Sequence, residues 1–173
     1  TKDAPVIGLP RSLSTYGLAP FWTGFCESLG LKLKLDPETD ADTKEAGNAL
    51  AAADFCFPVK AHLGHVKRVL EDPDSDFALV PYFISDTPNE HTSASLLCPY
   101  VESSPSVYRA LDDDAEARLL APILDFRWSK DKQAREFLNS FNRVIPGVSV
   151  GKLKAALTAG HDSHRQFAAD AVT

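Results

Sequence analysis

The chain has no methionine, only three cysteines and fewer basic than acidic residues, and each shortage closes off a class of function. Lys and Arg number 18 against 24 Asp and Glu, which sets the net charge at -6. A surface that grips nucleic acid neutralises phosphates with Lys and Arg, so no nucleic-acid partner is expected. No apolar run approaches the roughly 20 residues of a membrane span, and no basic segment followed by an apolar stretch opens the chain as a secretory signal does. No membrane association is expected either. Three cysteines are too few, and odd in number, for a disulfide framework, so a reducing cytoplasm is the expected setting. The absence of methionine, even at position 1, implies a piece of a longer protein. Also missing are a Gly-x-Gly-x-x-Gly fingerprint, a Walker A loop, a Gly-x-Ser-x-Gly elbow and a Cys-x-x-Cys pair. Dinucleotide binding, P-loop nucleotide hydrolysis, α/β-hydrolase chemistry and zinc fingers lose their usual signatures with them.

What remains is an ordinary globular composition, 44% hydrophobic and 24% charged over 173 residues, enough for one domain with a sizeable core. Residues 5–10 read as a short buried strand stopped by Pro10, which cannot donate to a ladder. Pro20 suits the first turn of a helix carrying Phe21, Trp22, Phe25 and Leu29, with Gly30 as its stop. Leu31, Leu33 and Leu35 alternate with Lys32 and Lys34, as in a half-buried strand whose lysines guard an edge. Residues 43–53 favour a helix, and Pro58 opens another with Val59, Leu63, Val66, Val69 and Leu70 on one face. Residues 77–80 form a short apolar run of the central-strand kind. Residues 84–97 are polar and irregular, long for a structureless loop. Ser104-Pro105 starts a helix whose acidic end is Asp112 to Asp114. Residues 119–126 read as one further strand. Ser129 and Ser149 are N-caps of two C-terminal helices.

Strands thus alternate with helices, which argues an α/β fold: a parallel sheet of about four strands, flanked by helices and followed by C-terminal helices. The expected division is an α/β domain over residues 1–128 and a helical extension over 129–173. Ligands of such sheets bind beyond the carboxyl ends of the strands, so the loops after Leu9, Val80 and Phe126 matter most.

Cys56 sits in Asp54-Phe55-Cys56-Phe57-Pro58 and Cys98 in Leu97-Cys98-Pro99, both in turns beside predicted helix starts. A thiolate at a helix N-terminus is stabilised by the dipole and by free N–H groups, and can ligate a metal or attack an electrophile. The alternative is a half-buried, inert thiol. Cys26, between Phe25 and Leu29 on an amphipathic helix, reads as core. The loop Gly8-Leu9-Pro10-Arg11-Ser12 is suited to a phosphate or an acyl-carrier group, and Arg11 to an anion or a structural ion pair. His62 and His65 share a helix face, although their spacing from Cys56 fits no zinc finger. His161 and His164 are expected to face solvent.

These motifs together resemble a known family. Ile7-Gly8-Leu9-Pro10-Arg11-Ser12-Leu13 with Tyr16 and Pro20-Phe21-Trp22 is similar to the opening of the uncharacterised domain of CoA enzyme activases, relatives of 2-hydroxyacyl-CoA dehydratase components and their activators. Cys56-Phe57-Pro58-Val59-Lys60 with His62 and Gly64-His65-Val66 looks like its second motif, and Cys98-Pro99 with Ser104-Pro105 like its third. The resemblance implies Rossmann-like lobes and a 4Fe-4S iron–sulfur cluster in the full-length protein, with Cys56 and Cys98 as two of its ligands. It implies Arg11, Ser12, Lys60 and His65 as cofactor-binding residues. The implied partners are downstream lobes of the same chain, an actin-like ATPase activator domain that injects single electrons, and a CoA thioester. The fragment itself would bind no cluster and catalyse nothing; the whole would be an ATP-driven dehydratase or reductase component. A non-catalytic α/β regulatory or interaction domain with structural cysteines is the alternative.

Overall fold

The computed structural model describes residues 4–51, 54–87 and 95–171. Its centre is a parallel four-stranded sheet in the order β2-β1-β3-β5, built from β1 (Val6–Leu9), β2 (Lys32–Leu35), β3 (Phe77–Leu79) and β5 (Leu119–Leu120). β4 (Tyr82–Ser85) and β6 (Ile123–Asp125) form a second parallel pair. The two pairs share one register. Ala78 pairs with Leu119 and Tyr82 with Ile123, the same sequence offset. Val80 N–H donates to Leu120 O and Tyr82 N–H to Pro122 O, each at 2.9 Å. In that pattern the Val80 carbonyl would take an amide from position 122, and proline has none.

This explains two departures from the sequence reading. The strand expected over residues 119–126 is split at Pro122. β4, absent from the sequence reading, begins directly after Pro81, a residue that marks a strand end when read alone. Of the irregular stretch 84–97, residues 88–94 lie outside the described residues, as do residues 52 and 53 of the helix expected over 43–53. Two short helices were also not expected: α1 (Leu13–Gly17) and α5 (Pro99–Glu102).

The remaining helices are α2 (Ala19–Ser28), α3 (Ala41–Leu50), α4 (Phe57–Glu71), α6 (Ser104–Leu111), α7 (Lys130–Asn142) and α8 (Val150–Asp170). Their starts follow the sequence. Asp40, Ser129 and Ser149 each accept a hydrogen bond from the backbone N–H three residues on, the usual N-cap arrangement. On one face of the sheet, Phe21, Trp22 and Phe25 of α2 pack with Phe137 and Phe141 of α7 and Leu153 of α8. On the other face, Leu63, Val66 and Val69 of α4 meet Tyr108 of α6 under Ala78 and Leu119. Burial of these side chains is the main source of stability, at about 25 cal/mol per Å² of apolar surface removed from water. No described helix is long and apolar enough to cross a membrane.

α3 and α4 cross at two glycines. A Cβ on Gly64 would lie 1.9 Å from the Thr43 carbonyl oxygen, and one on Gly47 would lie 1.9 Å from the Lys60 carbonyl oxygen. Only hydrogen fits at either point, so the two backbones touch.

Candidate functional site at the carboxyl edge of the sheet

α4 runs antiparallel to the strands, so its N-terminus projects past their carboxyl ends. Cys56 is its N-cap, and Pro58 stands in the first turn, where its missing N–H costs nothing. His62 lies six residues along, so Cys56 stands about 9 Å further out on the helix axis. Cys98 is the N-cap of α5, with Pro99 next to it. That loop is tied to the end of β4 by Leu97 N–H donating to Ile84 O at 3.4 Å and by a bridge between Ser85 and Leu96.

Both thiols are exposed. An aromatic contact draws their loops together: the rings of Phe55 and Tyr100 meet edge to face, 5.4 Å between centroids. Phe55 precedes Cys56 and Tyr100 lies two residues after Cys98, so the contact joins segments far apart in sequence. Phe57, Leu96 and Tyr100 are exposed around them. Cys26 is the opposite case, as expected for a core residue. It is fully buried, and burial, with a smaller push from Glu27, raises its thiol to about 12. Alkylation of the folded, metal-free protein at about pH 8 should therefore label Cys56 and Cys98 and leave Cys26 untouched until denaturant is added. Intact-protein mass spectrometry reads the difference, and labelling of Cys26 in the folded state would contradict it.

The loop after β1 carries Arg11 and Ser12. Arg11 bonds Glu38 at 3.1 Å and lies over the Tyr16 ring. Ser12 Oγ lies 2.8 Å from Nδ1 of His62, whose ring is 2% exposed. Burial, with the neighbouring His65, lowers the His62 pKa to about 4, so the ring is neutral near pH 7. Leu13, directly after Ser12, holds φ at 49°, a left-handed conformation unusual for a residue other than glycine.

His65 is fully buried in a different group. Its Nδ1 donates to Asp36 Oδ2 at 2.5 Å, and its Nε2 lies 2.8 Å from Thr39 Oγ1. Arg68 grips the same carboxylate twice, Nε to Oδ1 at 2.8 Å and Nη2 to Oδ2 at 3.0 Å. Its Nη1 reaches Asp40 at 2.9 Å and Thr43 Oγ1 at 2.7 Å, and its Nη2 reaches the Pro37 carbonyl at 2.8 Å. Both nitrogens of His65 are thus engaged within the fold, fixing the loop after β2 to α4. Lys60 is half-buried on α4 and makes no ion pair among the described residues.

At the end of β6, Asp125 is buried and chelated by Arg127 through Nε at 2.9 Å and Nη2 at 2.6 Å; this bonding holds its carboxyl below the usual range. His161, expected in solvent, is instead half-buried against the rings of Phe21 and Phe126, at 5.3 and 4.9 Å. The α2–α8 contact places it there, a tertiary effect that helix spacing does not reveal. A cleft of about 650 Å³ lies away from the cysteines, between Tyr16, Pro20 and Thr23 on one side and Phe167 of α8 on the other.

The carboxyl edge therefore combines two exposed thiols at helix N-termini with a serine–histidine pair and a buried carboxylate–histidine–arginine anchor. This defines a parallel α/β domain whose polar chemistry gathers where such sheets bind ligands. The chain belongs to the family described as the CoA enzyme activase uncharacterised domain, which it matches over residues 6–173. Comparison with curated proteins and with solved structures finds no match.

Proposed function

We propose that this domain supplies Cys56 and Cys98 as thiolate ligands to an iron–sulfur electron-transfer site completed by other parts of a longer CoA enzyme activase or 2-hydroxyacyl-CoA dehydratase-like protein. The observation that carries the proposal is the Phe55–Tyr100 contact, which brings the loops of two exposed cysteines together at the ligand-binding edge of the sheet. The donor set suits iron–sulfur chemistry, since thiolates are the usual ligands of such clusters. The family resemblance implies three cysteine ligands for the cluster, of which Cys56 and Cys98 would be two. Among the described residues no group of three or more His, Cys, Asp or Glu side chains stands ready for a metal ion, so the other ligands would come from elsewhere in the protein.

The exposed Phe57, Leu96 and Tyr100 form an apolar rim that a neighbouring lobe would cover. An actin-like ATPase activator domain would deliver electrons to this edge, and a CoA thioester would be the substrate. Anaerobic iron and sulfide analysis of the full-length protein tests the proposal. Cys56→Ala and Cys98→Ala should each lower the iron content and the charge-transfer absorbance. Unchanged iron in both variants would remove the cluster and leave an α/β interaction domain with structural thiols.

A further inference from the structure

The structure assigns a second role at the same edge: Ser12, oriented by His62, is the hydrogen-bond donor of a site for a small oxyanion, a phosphate or a carboxylate, with Arg11 as its charge partner. The first support is position. The chain leaves β1 towards β2 and returns on the far side of β1 to build β3, so the order β2-β1-β3-β5 reverses between β1 and β3. Ligands of open parallel sheets bind in the crevice at that reversal. The loop after β1, with Arg11 and Ser12, leaves the sheet at that reversal.

The second support is the histidine tautomer. A neutral imidazole carries one proton. The Nε2 atom of His62 is buried and has no hydrogen-bond partner among the described residues. A proton on Nε2 would strand a buried N–H, whereas a proton on Nδ1 leaves only a bare lone pair there, and orphaned N–H groups are the rarer of the two in folded proteins. On this proposal the proton therefore sits on Nδ1, donating across 2.8 Å to Ser12 Oγ. Ser12 accepts from the histidine, and its own hydroxyl hydrogen has no acceptor among the described residues. Ser12 is half-buried, and in this arrangement its O–H is left for a ligand.

The third support is the neighbouring charge. Arg11 already takes a carboxylate oxygen at 3.1 Å, from Glu38, whose side chain is 82% exposed. Such a pair is weak and exchanges readily with an incoming anion. The left-handed Leu13, where that loop enters α1, follows directly. Strained backbone of this kind persists where the surrounding structure holds it, and it concentrates at ligand clamps.

The test is titration of the full-length protein with inorganic phosphate and with sodium acetate, followed calorimetrically, for the wild type and four variants. Ser12→Ala should weaken binding about tenfold, the loss of one hydrogen bond to a charged group. His62→Leu should match it. His62→Asn should stay near wild type, because an asparagine amide can donate where Nδ1–H does. Glu38→Gln should tighten binding by freeing Arg11. The anion with the higher Ser12-dependent affinity identifies the source, phosphate or carboxylate. Wild-type affinity in Ser12→Ala, with an unchanged melting curve, would overturn the assignment; so would the absence of saturable binding of both anions. Ser12 is not in the core, so its variant stays informative if His62→Leu fails to fold. The result is also separable from the thiolate proposal, since protein without iron would keep its anion site.

Discussion

Gly64→Ala is expected to destabilise the protein by about 3 kcal/mol, the upper part of the range for overpacking a close contact. The added Cβ would stand 1.9 Å from the Thr43 carbonyl oxygen and 2.9 Å from its carbon, both backbone atoms. A flexible side chain would move aside; a helix backbone cannot without the whole of α3 shifting. Gly47→Ala meets the mirror problem at the Lys60 carbonyl, so both single variants should fall in the same range. The control is Gly151→Ala in the first turn of α8, where the nearest atom is the Ser149 hydroxyl at 3.8 Å. There alanine should gain up to about 1 kcal/mol through helix propensity. Urea midpoints for the three variants decide the matter. Near-neutral Gly64→Ala would mean that α3 and α4 do not touch as described.

The second large effect is expected from Asp36→Ala. This carboxylate receives two bonds from Arg68 and one from His65, and it is itself buried. Removing it leaves a guanidinium and a buried imidazole facing an empty space. Breaking a buried charged pair on one side costs about 3–5 kcal/mol. Arg68 is 27% exposed and water partly compensates it, so a loss of about 3 kcal/mol is the expected value. Asp36→Asn keeps the shape and one acceptor and should cost less. Chemical denaturation of both variants gives the comparison. Asp36→Ala within about 0.5 kcal/mol of wild type, the scale of ordinary surface changes, would show that the anchor holds nothing.

Much of the fold was legible because its signals are local. Pro20, Pro58 and Ser104-Pro105 mark helix starts, and β2 lies at the sheet edge as its lysines suggested. The cysteines were legible for the same reason, since each stands directly before a proline-started helix. What was not legible depends on distance along the chain. Ser12 and His62 are 50 positions apart, and Asp36 and Arg68 are 32 apart. Neither Arg68 nor Asp36 stands out from other charged residues until the loop after β2 is laid on α4. The reading also missed at two prolines, in opposite senses: past Pro81 the chain resumes as β4, where no strand was expected, and at Pro122 a strand expected to run on is split.

That punctuated ladder decides what each cysteine is fastened to. Below Pro122 four strands pair with one another; above it β4 and β6 pair only with each other, since β1 has ended at Leu9 and β2 at Leu35, and Phe83 and Leu124 fasten them to the core. The missing bond is one absent rung in a ladder that otherwise runs on from Val80 to Tyr82. Cys98 is tied to the upper pair through Ile84 and Ser85, whereas Cys56 rides on α4, which rests against the lower strands. The two sulfurs are thus carried by different parts of the fold, and the rings of Phe55 and Tyr100, meeting edge to face, join those parts beside them.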